Sequence, residues 1–252
     1  MGAALKTTVD WLKKDKDFFE PLRQDDKSTQ LHRQLVGYVA IALPWVVLLV
    51  DKWRPTKELV SLGRLDSISA YYYTAGIAAL VGSLVALTAF FITYRGYDNK
   101  HRRWDLLAAF VAGIAALLVA FFPTAAPLKE LRPSWWAEWM GVTHFAAVAV
   151  LFVTLTIFSW TLFPKGSSWN QLRNLLQYLC GVVMIGCIVW AWLWRDKEIF
   201  LPETVALTAF GVSWLLKGRV DTTLAALLTD PKSIVREVQK AVRVEKAVTP
   251  SS

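Results

Sequence analysis

The chain has 252 residues, 55% of them apolar, 13% aromatic and 19% charged, with a mean hydropathy of +0.37 and a formal charge of +8. So apolar a composition excludes a disordered chain, and a soluble domain of this size would normally carry about 25% Asp, Glu, Lys and Arg. The apolar residues also fall in long uncharged blocks, so the chain reads as an integral membrane protein.

In chain order, residues 1–34 form a charged N-terminal segment. Leu5, Val9 and Leu12 recur there at helical spacing beside Trp11, with Lys6, Lys13 and Lys14 elsewhere on the turn, a pattern that predicts a short interfacial helix. Six apolar blocks follow within residues 35–217, approximately Leu35 to Val50, Ala70 to Tyr94, Leu106 to Phe122, Trp139 to Phe163, Leu175 to Trp194 and Ile199 to Leu216. Apart from Glu203, which opens the sixth, none holds Asp, Glu, Lys or Arg, and one such residue at mid-span would cost at least about 2.5 kcal/mol. Because lipid requires every backbone group to be satisfied within the segment, each block is predicted to be a helix, with Pro44 able to kink the first. The tail, residues 218–252, carries a second amphipathic stretch. After Pro231, an apolar stripe of Ile234, Val235, Val238, Ala241 and Val242 is surrounded by Lys232, Arg236, Lys240 and Arg243. The expected fold is therefore all-α, a polytopic membrane bundle of six transmembrane helices with short amphipathic cytoplasmic helices at both ends.

Aromatic residues sit where an interfacial belt would place them. Tyr71, Tyr72 and Tyr73 open the second block, Trp135, Trp136 and Trp139 open the fourth, and Trp192 and Trp194 close the fifth. Of the 28 basic residues, 20 lie in the N-terminal segment, the stretch from Lys217 to the end, the loop Arg95 to Trp104 and the loop Pro164 to Asn174. The positive-inside rule makes that side cytoplasmic, although Lys52, Arg54 and Lys57 beside the first block argue the other way. The expectation is a multi-pass protein of the inner, or plasma, membrane with both termini cytoplasmic and no cleavable signal peptide. The loop Arg95 to Arg103 is basic and aromatic, yet nine residues tied to two membrane helices suit anionic lipid headgroups better than nucleic acid. Membrane lipids, not nucleic acid, are the expected partners.

Small residues at spacings of four predict seams of close helix contact: Ala75, Ala79 and Ser83, then Gly82 and Ala86, in the second block, and Ala109 with Gly113 and Ala112 with Ala116 and Ala120 in the third. Such seams suit a compact bundle and also a homo-oligomer.

Chemistry has few places to sit. Cys180 and Cys187, seven residues apart on one helix, are too far apart to pair and read as small buried hydrophobes. Of three histidines, only His144 lies in the outer part of a span, so no His-rich metal site assembles and no metal, cofactor or catalytic residue is expected. What remains is a polar cluster at the expected outer end: Asp66, Ser67, Ser69, Tyr72, Tyr73, Thr124, His144 and Glu203 as candidate ligand-binding residues. A histidine at membrane depth is costly unless partnered, and the expectation is that His144 and Glu203 approach the segment Ser67 to Tyr73. Each member also has a purely structural use. Asp66 or Ser67 suits a helix cap, Pro202-Glu203 suits a helix N-terminus, and His144 suits a bond to a hydroxyl or loop carbonyl.

The segments Asp66-Ser-Ile-Ser-Ala-Tyr-Tyr-Tyr-Thr74, Tyr94-Arg-Gly-Tyr97, Phe122-Pro-Thr124, Thr143-His-Phe145 and Ala209-Phe-Gly-Val-Ser-Trp-Leu-Leu-Lys-Gly218 resemble a group of bacterial six-span membrane proteins without an assigned activity. The resemblance covers most of residues 36–218. That group is loosely similar to the eukaryotic damage-regulated autophagy modulator proteins and more remotely to ceramidase-like membrane hydrolases. It implies a fold and a compartment. It also implies a two-histidine outer site in relatives, reduced here where Tyr73 stands, while the several histidines of the ceramidase-like metal pattern are missing.

The leading functional expectation is a non-enzymatic membrane protein whose outer polar pocket binds lipid or a small ligand. A small-solute channel or transporter is the first alternative, disfavoured because the mid-span polar residues are only hydroxyls such as Ser83, Thr88, Thr154, Thr156, Ser159 and Thr208. An intramembrane lipid hydrolase is the second, and it depends on Ser69, His144 and Glu203 meeting.

Overall fold

A computed structural model describes residues 27–96, 102–163, 171–194 and 198–218. The amphipathic stretches expected in the first 26 residues and after residue 218 lie outside the described residues, as does the centre of the basic loop. The described chain is helical throughout its regular structure: α1 Lys27–Trp53, α2 Ile77–Ile92, α3 Arg102–Phe121, α4 Glu138–Ile157, α5 Gln171–Leu193 and α6 Phe200–Lys217. Four stretches are long and apolar enough to cross a membrane: Thr29–Trp53, Arg102–Phe121, Glu138–Leu162 and Asn174–Leu193. The apolar helix α2 is shorter, at 16 residues, and α6 has 18.

Each helix packs on its neighbour in sequence, and α6 returns to α1, so the six close into a ring. His32 and the described chain's last residues mark one end, the tail end; His144 marks the other. α1 and α6 approach most closely, because Gly37 and Gly211 face each other. A Cβ on Gly211 would lie 2.7 Å from the Gly37 carbonyl oxygen and 2.5 Å from Ile41 Cγ1. α1 begins at Lys27, ahead of its apolar block, and Gln34 in that first stretch donates to the Gly218 carbonyl at 2.8 Å, tying α1 to the end of α6.

Two expectations are corrected. The three tyrosines do not begin the second long helix. They occupy a 3-10 turn, Ser69–Tyr73, separated from α2 by Thr74 in an extended conformation. The Thr74 hydroxyl donates to the Tyr71 carbonyl at 3.0 Å and accepts from Gly76 N–H at 2.9 Å, satisfying the backbone where the helix is broken. Tyr71 is buried at 1% exposure rather than forming a belt, with its ring edge-on to Phe200. Of the two small-residue rows in the second block, that of Gly82 does not form a seam, while Ala79 of the other packs against the core. Gly82 faces open space, and α2 instead buries Leu80, Leu84, Leu87, Thr88 and Phe91. In α3 the seam holds: Ala109, Ala112, Gly113, Ala116 and Ala120 are buried, and Thr88 of α2 donates to the Gly113 carbonyl at 3.2 Å.

α4 ends in a π turn, Phe158–Leu162, closed by Phe163 N–H to the Phe158 carbonyl at 2.9 Å. The wider turn sets Phe158 and Phe163 around Trp214 of α6, with ring centroids 5.5 and 5.2 Å away. Phe91, Tyr94 and Phe210 complete an aromatic plug on the tail side of the ring's interior. Both cysteines are free and buried.

Candidate functional site

At the His144 end, the chain between α1 and α2 folds across the mouth of the ring and is held from two sides. From α6, Glu203 Oε2 accepts the Ile68 N–H at 2.7 Å, while the Asp66 carbonyl accepts the Ile199 and Phe200 N–H groups, each at 2.7 Å. The N–H groups opening a helix have no partner within it, and this loop carbonyl supplies one. Arg64 adds an ion pair to Glu198, with its guanidinium 5.2 Å from the Phe200 ring centroid.

From the other side, His144 is 3% exposed and makes two bonds. Its Nδ1 lies 2.6 Å from the Phe122 carbonyl oxygen, and its Nε2 lies 2.9 Å from Ser69 Oγ. A carbonyl only accepts, so Nδ1 carries the proton. Nε2 of the neutral ring is then an acceptor, and the Ser69 hydroxyl donates to it.

The remaining candidates divide by what they touch. Ser67 Oγ accepts the Ala70 N–H at 3.1 Å, capping the 3-10 turn rather than a long helix. Asp66 acts through its carbonyl, and its side chain is exposed. Tyr73 donates to the Thr124 carbonyl at 2.6 Å. Tyr72 packs edge-on against Tyr73, with centroids 5.6 Å apart. Trp136 closes the edge of this region by donating to the Pro123 carbonyl at 3.2 Å.

Of the eight candidates, Ser69 and Glu203 line a cavity in the ring's interior; His144 stands behind Ser69. The cavity measures about 50 Å³. Its walls are otherwise apolar, including Leu43 of α1, Leu80, Leu84 and Leu87 of α2, Val119 of α3, Leu151 and Leu155 of α4 and Leu207 of α6, and Phe91 and Phe210 of the plug also line it. From Leu80 to Phe91 the wall follows α2 for about 16 Å at helical rise. None of these leucines stands out in sequence, because a cavity-lining leucine and a lipid-facing one have the same periodicity. Ile68 and the Phe122 carbonyl were equally illegible, since their roles are carried by backbone groups.

Compared with protein-family models, curated proteins and solved structures, the chain matches none. The site's chemistry therefore has to be read from its own atoms. Among the described residues, no group of three His, Cys, Asp or Glu side chains is placed to hold a metal ion. What the site presents is a narrow apolar void with a hydroxyl and a carboxyl group at its walls.

Proposed function

We propose that this protein is a six-span membrane protein that seats one alkyl chain of a membrane amphiphile in its interior cavity, with the polar end of that amphiphile beside Ser69 and Glu203. The observation that carries this reading is the cavity's lining, apolar except for those two residues. A void of about 50 Å³ has room for a few waters by volume, but apolar walls give water no hydrogen-bond partners. An alkyl segment is slender enough to enter and loses nothing by leaving lipid. Phe91 and Phe210, which line the cavity and pack on Trp214, fit a chain-binding site better than an open path for solutes.

In this reading α2 and α6 also span, with both termini in the cytoplasm of a cell bounded by the inner membrane. The 3-10 turn before α2 extends its apolar length, and a short helix costs only fractions of a kcal/mol per Å of mismatch. The basic tails and loop then meet anionic headgroups on the cytoplasmic face.

Mass spectrometry of lipid that co-purifies with the full chain tests the reading. Wild-type protein is expected to retain alkyl-chain lipid after detergent exchange, and Leu84→Phe or Leu151→Phe, which fill the cavity, are expected to lower retention several-fold. Equal retention by well-folded variants would refute it.

The bonds of His144 favour a second reading, acyl transfer. A serine hydroxyl donating to a neutral imidazole whose other nitrogen is held by a carbonyl is the arrangement that activates a nucleophile. Incubation with p-nitrophenyl octanoate is then expected to release p-nitrophenol from wild type and not from Ser69→Ala. Release at the same rate by the variant would eliminate this reading.

A further inference from the structure

The hydrogen-bond directions at the cavity assign the kind of headgroup it takes. Because Nδ1 of His144 must donate to Phe122, the Ser69 proton is committed to Nε2, and Ser69 offers the cavity only lone pairs. Glu203, which a neighbouring cation would hold as a carboxylate, then also only accepts, and one of its oxygens already takes the Ile68 N–H. The loop, through Ser69, and α6, through Glu203, therefore present acceptors to the same void. Of the loop's cations Arg54, Lys57 and Arg64, the last is the nearest in sequence to Ser69 and is paired with Glu198, and Arg132 lies 4.4 Å from the Trp136 ring centroid.

We infer that the ligand is a single-chain amphiphile whose head donates hydrogen bonds, a long-chain ammonium first and an alcohol second, and that the site rejects fatty-acid anions. The inference rests on the chain-binding reading above and adds the head to it. An ammonium supplies three donors, one for Ser69 Oγ and the others for Glu203, and its bond to a carboxylate is charge-assisted. An alcohol supplies one donor, which suffices for either acceptor. A carboxylate supplies none, and beside it Glu203 must either stand as a second negative charge in a low-dielectric pocket or first take up a proton, a cost that an ammonium does not meet.

The test uses three probes of equal chain length, octylamine, octanol and octanoate, titrated calorimetrically into the full chain in zwitterionic nanodiscs at neutral pH, with empty nanodiscs as the blank. Wild type is expected to bind octylammonium at least about tenfold more tightly than octanoate, with octanol between them. Glu203→Gln, whose amide oxygen still accepts the Ile68 N–H, is expected to bring octylammonium down to the level of octanol. Octanoate binding as tightly as octylammonium, or an ammonium preference that survives Glu203→Gln, would overturn the headgroup inference. Leu84→Phe separates the two levels. If it removes binding of all three probes while wild type does not discriminate among them, only the headgroup inference fails. If it removes none, the cavity is not where the probes bind, and both readings fail.

Discussion

Gly211→Val is expected to leave little folded protein. The new Cβ would meet the Gly37 carbonyl oxygen at 2.7 Å, and that oxygen belongs to a helix backbone which cannot turn aside as a flexible side chain can. Ile41 Cγ1, at 2.5 Å, would have to move as well. The remaining relief is to drive α1 and α6 apart. Overpacking of a flexible site costs about 1–3 kcal/mol, and a backbone clash in a helix seam exceeds the upper end of that range. The consequence reaches the site, because α6 carries Glu203 about two turns from Gly211, and α1 carries the cavity-lining Leu43. Gly82→Ala is the matched control: it adds the same atom where nothing lies within 4 Å, so the helix propensity of alanine makes it neutral or slightly stabilising. The comparison is read by size-exclusion chromatography and thermal denaturation in detergent. A Gly211→Val protein that melts within a few degrees of wild type would show that the close approach of α1 and α6 is not what holds the ring shut.

Trp214→Ala is expected to lower stability by about 3–5 kcal/mol, the range for removing a fully buried large aromatic. Trp214 is 0% exposed and its ring touches those of Phe91, Tyr94, Phe158, Phe163 and Phe210, all with centroids within 5.8 Å. No neighbouring helix carries a side chain that can fill so large a space without repacking several rings. Its Nε1 has no hydrogen-bond partner among the described residues, so Trp214→Phe sacrifices volume and ring contacts but strands no polar group among them. The expected order of denaturation midpoints is therefore wild type, then Trp214→Phe, then Trp214→Ala. Because Phe91 and Phe210 belong both to the plug and to the cavity lining, the alanine variant also deepens the void. Under the chain-binding reading it accepts longer chains than wild type. An unchanged midpoint for Trp214→Ala would remove the plug from the account of stability.

The sequence itself carried the membrane character and the helical class. Blocks free of charge cannot be accommodated in lipid except as helices that satisfy their own backbone, so hydropathy and chain length specify them without reference to neighbours. It also marked out His144, Ser69 and Glu203, because polar residues near the ends of apolar blocks are conspicuous. Tertiary structure alone decided what those residues do. The proton on His144 is assigned by the Phe122 carbonyl, which lies 22 residues away in sequence, and the contact of Glu203 is a main-chain N–H of Ile68, 135 residues away. Backbone groups have no sequence signature, and every residue but proline has both.

Helix-to-helix contacts were legible only in part. The alanine row of α3 is buried as its spacing predicts, whereas Gly82 in a similar row faces outward, and the Gly37–Gly211 pair has no spacing to announce it, since its partners lie on the first and last of the six helices. A small residue permits close approach but does not create it; which seams close is decided by the ring in which all six helices must fit. The tyrosine run shows the same division. Hydropathy counts it with the second block, but Thr74 bonds to Tyr71 and Gly76 and breaks the helix, folding the run over the ring's mouth. Local composition thus determined that the chain enters a membrane as helices. The cavity, its acceptor-lined end and its aromatic floor exist only where five of those helices converge, because a void belongs to no single segment.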